Sequence, residues 1–458
     1  MHRPERRDAM AGSQTRTTDT LEPQARDTDE LQQPTPPKGV TKRGLLQTLG
    51  PGLITGASDD DPSGIATYSQ VGAQFGYGLL WTMPFSYPLM CGIQEISALI
   101  GRVTGRGIAG NLRRHYAPWI LYSIVGLMVA ANVINIGADI GAMGAAAAML
   151  SGGPALAFAA FFAVASVALE TLAPYEKYAG VLKWLCLVLV AYVATVFVVH
   201  VPWRHALKAT ALPSIQFNGA SITSLVAVLG TTISPYLFFW QAEAEVDLEQ
   251  ATPQEAPLVR RPADAPAQMH RIRVDTYTGM GASNIVAYFI ILTAAATLHA
   301  HGITNIQTST DAAHALEPIA GRFAYLLFAV GIIGTGLLAV PVLAGSAAYA
   351  VGEAMRWPVG LGRDPRKAKG FYGVIAAATL LGLALNMVHI DPVKALFWSA
   401  VINGVVAGPI MILMMRMGSS PKVMGQFTLK RGQKFWGWAA TGVMLLAAVG
   451  LFATWGKS

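Results

Sequence analysis

The stretch Gly56–Gln70, GASDDDPSGIATYSQ, places three consecutive aspartates, Asp59, Asp60 and Asp61, inside an otherwise apolar run. GLLQTLGPGLIT precedes it and VGAQFGYGLLWTMPF follows it, so the charges interrupt what would otherwise be one apolar helix. Pro62 comes directly after the aspartates, and a proline inside a helix removes a backbone hydrogen bond. The stretch therefore predicts a helix that is broken beside carboxylates.

The composition places this broken helix in a membrane. Of 458 residues, 53% are hydrophobic and only 13% are charged, and the mean hydropathy is +0.43. Soluble domains are closer to a quarter charged, so we predict an all-α polytopic membrane protein. The net charge of +7 fits basic cytoplasmic loops that face anionic lipid better than it fits nucleic acid. The expected partner is thus the lipid bilayer, with no nucleic acid; the sequence leaves the oligomeric state open, and a monomer is compatible with it.

Eleven windows of the sequence are long and apolar enough to span a bilayer, since a spanning helix needs roughly 20 mostly apolar residues. Lysines and arginines concentrate in the connections after even-numbered windows, such as 102–114 and 356–369. By the positive-inside rule the N-terminus is cytoplasmic and the C-terminus outside, in a bacterial plasma (inner) membrane. The windows are 45–76, 78–101, 119–150, 154–173, 179–200, 220–246, 276–299, 323–352, 371–388, 394–416 and 435–455.

The domain organisation follows from these windows and from a composition shift near residue 41. Residues 1–41 contain few aliphatic side chains and predict a disordered cytoplasmic tail, and residues 42–455 form the transmembrane domain. The first and sixth windows are both broken, at Asp61-Pro62-Ser63-Gly64 and at Ser234-Pro235, and five spans start at each. Paired broken helices in two halves are typical of inverted-repeat transporters, although prolines alone often only kink membrane helices. The repeats would be about 45–200 and 220–416, followed by an extra helix at about 435–455.

The chemistry at the breaks favours a cation. Unwound backbone frees carbonyl groups, and an ionised carboxylate at membrane depth costs about 3 kcal/mol unless it is neutralised. Carboxylate, carbonyl and hydroxyl oxygens are hard ligands that suit Mg²⁺, Ca²⁺ or Mn²⁺. We predict a metal site formed by Asp61, Ser234 and Thr231. Asp59 and Asp60 would form a vestibule for the hydrated ion, with a solvated helix end as the alternative.

Several other polar residues lie within the predicted spans. Each has a structural interpretation, namely interhelical hydrogen bonding, beside a functional one. Asn132 and Asn135 share a helix face with Asp139 and would either line a polar path or pack against a neighbouring helix. Glu95 lies near the cytoplasmic end of the second span, where a contact between helices is favoured over a metal ligand. The candidates for the ion pathway are Tyr236, Asp139, Asn403 and Glu95.

These motifs together resemble the natural resistance-associated macrophage protein (NRAMP) family of divalent-metal transporters, over about residues 42–455. The resemblance rests on the Asp-Pro break, on QEISALIGRVTGRG after the second span and on the Ser-Pro break. It implies the LeuT fold, a 5+5 inverted repeat with broken helices 1 and 6. The family's usual motifs are Asp-Pro-Gly-Asn and Ala-x-x-Met-Pro-His. Here they read Asp61-Pro62-Ser63-Gly64 and Thr231-Thr232-Ile233-Ser234-Pro235-Tyr236.

The departures from the family motifs concern the ion and the proton. Ser234 replaces a methionine thioether, which favours softer metals, and the asparagine amide is lost, so more water would stay on the ion. This pattern is similar to the NRAMP-related magnesium transporters. In the family, an aspartate and a glutamate of the third helix take part in the proton route. Asp139 matches that aspartate, Ala142 lies near the glutamate position, and Tyr236 replaces the histidine.

The sequence thus predicts a transporter rather than an enzyme, with no cofactor beside its transported divalent cation. It would import a partly hydrated Mg²⁺ or Mn²⁺ by alternating access, with weak proton coupling or none. One alternative is a proton-coupled Mn²⁺/Fe²⁺ symporter. A second is a LeuT-fold amino-acid transporter, although three aspartates argue against binding a substrate carboxylate. An intramembrane enzyme would need well-placed ligand histidines, and a channel would lack the paired breaks.

Overall fold

The structure is a computed structural model that describes residues 50–172, 189–252, 255–388 and 391–454. Within these ranges the chain is helical, and no β-strand is present in them. The predicted tail, residues 1–41, and much of the fifth window, 179–200, lie outside the described residues. The helices are α1 (Pro51–Asp59), α2 (Pro62–Phe75), α3 (Thr82–Thr104), α4 (Ile108–His115), α5 (Pro118–Ser151), α6 (Ala155–Leu172), α7 (Val190–Val196), α8 (Trp203–Ala211), α9 (Gly219–Thr232), α10 (Pro235–Ala251), α11 (Ala265–Thr297), α12 (Ser309–Ala313), α13 (Glu317–Ala320), α14 (Ala324–Met355), α15 (Lys369–Leu385), α16 (Pro392–Ser419), α17 (Pro421–Met424) and α18 (Arg431–Thr454).

The all-α class is confirmed in the described part of the chain, and ten of the eleven predicted windows coincide with helices described over most of their length. In the described part of the chain, eight helical segments are long and apolar enough to cross a membrane. They correspond to windows three, four and six to eleven. Window one is divided between the short helices α1 and α2, window two is the 23-residue helix α3, and of window five only α7 is described.

The first break lies between α1 and α2. α1 ends at Asp59, and Asp61 has extended backbone (φ −71°, ψ 170°) at the N-cap of α2. Pro62 occupies the first turn of α2, where its missing N–H leaves no hydrogen bond unmade. Proline therefore ends one helix and begins the next at the position predicted from the sequence.

The second break lies between α9 and α10. The Asn218 side chain caps the start of α9 by accepting a hydrogen bond from the Ser221 N–H at 2.8 Å. α9 ends at Thr232, and Ser234 has extended backbone (φ −81°, ψ 134°) before Pro235 starts α10. The second Pro-containing motif thus has the same local geometry as the first.

Small residues let the broken helices pack closely on their neighbours. α1 and α2 both pack on α11, and α9 packs on α16. A Cβ atom at Gly56 would lie 2.3 Å from the Gly279 carbonyl oxygen, and one at Gly230 would lie 2.5 Å from the Gly404 nitrogen. At these crossings the backbones touch directly, which fixes the breaks against two long helices.

Candidate metal site at the paired helix breaks

The two breaks face each other in the interior of the protein. The Tyr236 hydroxyl, at the start of α10, donates a hydrogen bond of 3.0 Å to the Ser58 carbonyl near the end of α1. A Cβ atom at Gly64, at the start of α2, would lie 3.1 Å from Thr231 Oγ1 at the end of α9. Each half-helix of one break therefore touches a half-helix of the other, although the two prolines are 173 residues apart.

Asp61 holds the start of α2 and reaches across to α5. Its Oδ1 accepts hydrogen bonds of 2.7 Å from both the Gly64 N–H and the Ser63 hydroxyl. Its Oδ2 accepts a hydrogen bond of 3.1 Å from the Asn135 side-chain amide. The side chain is buried, and a carboxylate has about four acceptor positions, so one remains for a further ligand.

The Ser63-Gly64 pair has a structural consequence of its own. Because Thr231 lies so close to Gly64, a side chain at position 64 would press against the Thr231 hydroxyl. The amide that reaches Asp61 comes instead from Asn135, on another helix. At the position where the family motif has asparagine, Gly64 therefore lies against Thr231, and α5 supplies the amide that reaches Asp61.

Asp59 and Asp60 both contact α11. The Ser283 Oγ lies 2.6 Å from Asp59 Oδ2 and 3.0 Å from Asp60 Oδ1. Both aspartates are buried, at 1% and 6% exposure, which excludes the alternative of a solvated helix end. Asp59 Oδ1 has no hydrogen-bond partner among the described residues. The role of this pair as a vestibule for a hydrated ion stays a prediction.

Ser234 and Thr231 line the break from the other side. The Ser234 hydroxyl donates its hydrogen back to the last turn of α9. The two acceptors within reach are the Gly230 carbonyl oxygen at 2.7 Å and the Thr231 carbonyl oxygen at 2.9 Å. The lone pairs of the Ser234 oxygen therefore stay available. The carboxyl end of α9 also directs carbonyl groups toward the break, where the helix dipole favours a cation.

The polar face of α5 is divided between two roles. The Asn132 amide donates to the Leu343 carbonyl (2.8 Å) and to the Ser346 hydroxyl (2.9 Å), so it joins α5 to α14. Asn135 bonds Asp61, and Asp139 is fully buried with both carboxylate oxygens unpartnered in the described ranges. Asp139 is close enough to Asp61 for their charges to interact. Packing thus explains Asn132, and the two later residues adjoin the break.

Glu95 and Asn403 lie in different settings. The Glu95 carboxylate accepts hydrogen bonds of 3.1 Å from Arg273 and 2.9 Å from Gln433, which joins α3 to α11 and α18. These contacts support the interhelical interpretation of Glu95 over a place on the ion pathway.

Asn403 is buried on α16, next to Gly404, which packs against Gly230. The Asn403 side-chain amide has no hydrogen-bond partner in the part of the chain that the structure describes.

The donor groups at the breaks suit a hard cation that keeps part of its water. No cluster of three or more His, Cys, Asp or Glu side chains suited to a metal ion occurs within the described ranges. A metal here would therefore depend on at most two such side chains, together with hydroxyls, carbonyls and water. Buried oxygens without hydrogen-bond partners within those ranges, such as Asn135 Oδ1, Tyr68 Oη and Asp59 Oδ1, offer positions for such water.

Ser283 was not among the site residues predicted from the sequence. It is the residue that holds both Asp59 and Asp60, and it lies on α11 beside Asn284. A signal was present, because this Ser-Asn pair interrupts the otherwise apolar run of the seventh window. Tyr68 was also missed, since an aromatic residue in a membrane helix does not stand out from its neighbours.

Comparisons with known proteins agree on one family. The family model described as natural resistance-associated macrophage protein-like (Nramp) matches residues 52–454. The divalent metal cation transporter MntH of Klebsiella pneumoniae subsp. pneumoniae is 26% identical over 409 residues, which cover 87% of this chain and 92% of the relative. The protein of the same name from Acidiphilium cryptum is 25% identical over 418 residues, covering 89% and 88%.

Solved structures confirm the LeuT-type fold. The Eremococcus coleocola manganese transporter, in complex with an aromatic bis-isothiourea compound, has a TM-score of 0.69 at 15% identity, covering 91% of this chain and 89% of that one. MhsT in complex with L-phenylalanine, a LeuT-fold transporter, has a TM-score of 0.57 at 14% identity, covering 88% and 98%. The family match spans nearly all of the described helices, and the chain belongs to the Nramp family of integral membrane transporters.

Proposed function

We propose that this protein imports divalent cations, Mg²⁺ and Mn²⁺ before others, by alternating access around the two breaks. The observation that carries the proposal is the contact between the two breaks, where Tyr236 bonds the Ser58 carbonyl and Gly64 lies against Thr231. Asp61, Ser234 and Thr231 lie at these breaks, and all three offer oxygen. The relatives named above are a divalent metal cation transporter and a manganese transporter, which supports divalent metal as the cargo and transport rather than catalysis.

The preference for a hard, partly hydrated ion is supported by the residues at the second break. Ser234 presents a hydroxyl where a thioether would favour softer metals, and Tyr236 directs its hydroxyl to the Ser58 carbonyl. Mg²⁺ sheds water reluctantly and is usually held by one or two carboxylates while it keeps several waters. Asp61 supplies one carboxylate, and Asp59 and Asp60 would attend the hydrated ion.

Import without tight proton coupling is supported by energetics. A membrane potential contributes about 2.3 kcal/mol per charge per 100 mV, so a dication gains about 4.6 kcal/mol on moving to a negative interior. With the N-terminus cytoplasmic, the C-terminus outside and the protein in a bacterial inner membrane, this potential drives uptake. The second candidate is a proton-coupled Mn²⁺/Fe²⁺ symporter. It is favoured by the buried carboxylate of Asp139 near Asp61, which could accept a proton.

The test is uptake into proteoliposomes under an imposed potential, with Mg²⁺, Mn²⁺ and Ca²⁺ supplied separately and internal pH recorded. We expect Mg²⁺ and Mn²⁺ uptake without matching acidification. Mn²⁺ uptake with acidification and no Mg²⁺ uptake would favour the symporter instead. Uptake of amino acids with no metal flux would support the LeuT-fold amino-acid transporter.

A further inference from the structure

The carboxylate of Asp275, on α11, holds the start of α1. Its Oδ1 accepts hydrogen bonds from the Gly50 N–H (2.9 Å) and the Leu53 N–H (3.1 Å), and its Oδ2 accepts one from the Gly52 N–H (2.7 Å). These N–H groups have no partner within their own helix, so Asp275 satisfies them from a position more than 220 residues away. A carboxylate at this end also complements the helix dipole.

Below this clamp, α1 lies directly against α11 with no side chain between the backbones. A Cβ atom at Gly52 would lie 2.7 Å from the Thr276 nitrogen, and one at Gly279 would lie 2.2 Å from the Gly52 carbonyl oxygen. Such a seam excludes water but contributes little side-chain interdigitation. Asp275 at one end of this seam and the Ser283–Asp59 hydrogen bond at the other are polar contacts that hold α1 on α11.

Part of α1 also borders a cavity. Pro51 and Ile54 line a cavity of about 650 Å³ whose other walls include Trp240, Asp247 and Tyr349. α1 is only nine residues long and ends at the aspartates of the first break. The hydrogen bonds from Thr55 to Gln241 and from Tyr236 to Ser58 join α1 to α10, so a movement of α1 would break these contacts or carry α10 with it.

We propose that Asp275 is a positioning residue that latches α1 in its docked state. Release of its three hydrogen bonds frees the first turn of α1 from α11. When the Ser283–Asp59 hydrogen bond at the other end of α1 also breaks, the break at Asp59–Asp61 opens toward the side of the protein that carries Gly50. Asp275 touches no cargo in this account and acts through the position of α1. The inference rests on the alternating-access part of the proposed function and is independent of which ion is carried.

The latch can be tested by thiol labelling in the absence of metal. In a chain carrying Cys91→Ser and Cys186→Ser, the reporter Ser58→Cys replaces a fully buried side chain of α1. We expect Asp275→Asn to speed its reaction with a charged maleimide about tenfold or more, since an opening equilibrium shifts tenfold per about 1.4 kcal/mol. Asp391→Asn is the matched control, because Asp391 caps α16 through the Val393 and Lys394 N–H groups, away from either break.

A labelling rate for Asp275→Asn equal to that of the parent and of Asp391→Asn overturns the latch. Should Asp275→Asn fail to fold, Asp275→Glu takes its place, because it keeps the charge but misplaces the oxygens. Faster labelling of Asp275→Glu supports the proposal, and an unchanged rate overturns it. Since no metal is present, faster labelling beside a failed metal-uptake assay would leave the latch standing and refute only the proposed cargo.

Discussion

The substitution Asp61→Asn separates two roles that the structure assigns to one side chain. Asp61 caps α2 through Oδ1, which accepts hydrogen bonds from Ser63 and Gly64, and its charge would bind the cation. Asparagine caps helices about as well as aspartate, so we expect the free energy of unfolding to change by no more than about 0.5 kcal/mol. The amide has no charge, however, and a cation would lose its only ionised ligand at this break.

The size of the loss can be bounded from the contacts. A hydrogen bond to a charged group contributes about 1.5 to 3 kcal/mol, and a direct contact between a dication and a carboxylate is at least as strong. At about 1.4 kcal/mol per tenfold, 3 kcal/mol corresponds to roughly a hundredfold loss of apparent affinity. Asp61→Ala should lose the same affinity and, in addition, about 1 kcal/mol of stability, because the cap on α2 disappears.

The assay combines Mg²⁺ and Mn²⁺ uptake into proteoliposomes with thermal unfolding of the same preparations. Asp391→Asn serves as the control, since it makes the same chemical change at the cap of α16, and we expect it to transport normally. Full-rate transport by Asp61→Asn would refute the assignment of Asp61 as the ligand. Equal losses of transport in Asp61→Asn and Asp391→Asn would show that the loss is not specific to the charge at the break.

Three further predictions concern selectivity, packing and the role of Glu95. Ser234→Met should raise the preference for Mn²⁺ over Mg²⁺, because a thioether adds little to Mg²⁺ binding. The preference is measured by the inhibition of Mn²⁺ uptake by added Mg²⁺. An unchanged ratio of Mn²⁺ to Mg²⁺ affinity counts against the proposed selectivity. Gly56→Ala should destabilise the protein by about 1 to 3 kcal/mol, because its Cβ would lie 2.3 Å from the Gly279 carbonyl oxygen. Gly373→Ala, which meets nothing within 4 Å, is its control, and equal melting temperatures would contradict the close packing. Glu95→Gln should lower the melting temperature while uptake continues, since Glu95 joins helices; abolished uptake at unchanged stability would return it to the ion pathway.

The positions of the breaks could be predicted from the sequence because a proline affects the backbone directly next to it. Asp61-Pro62 and Ser234-Pro235 each end one helix and start another at the predicted positions, and both N-caps are the residues before the prolines. The equivalent positions of the two breaks in the two repeats could also be predicted, since they follow from counting the apolar windows. Asp61 at a helix start follows from the same local rule.

The surroundings of the aspartates were not readable in this way. Asp59 and Asp60 were expected in a vestibule or at a solvated end, and the structure buries both against Ser283, 223 to 224 residues away. The hydrogen bond that the Gln433 amide donates to Glu95 spans 338 residues. No periodicity or motif in one stretch encodes which polar side chain of a distant helix will face it.

The sequence by itself determined that the chain crosses a membrane repeatedly, that two of its helices are broken and where, because apolar length and proline geometry are properties of short segments. Only the tertiary structure decided that Asp61 bonds Asn135, that Ser283 joins Asp59 to Asp60 and that Asp275 clamps α1. Those contacts depend on how long helices cross, which is set by small residues such as Gly279 that let backbones meet. The same three aspartates therefore divide by role according to the helix that each one faces.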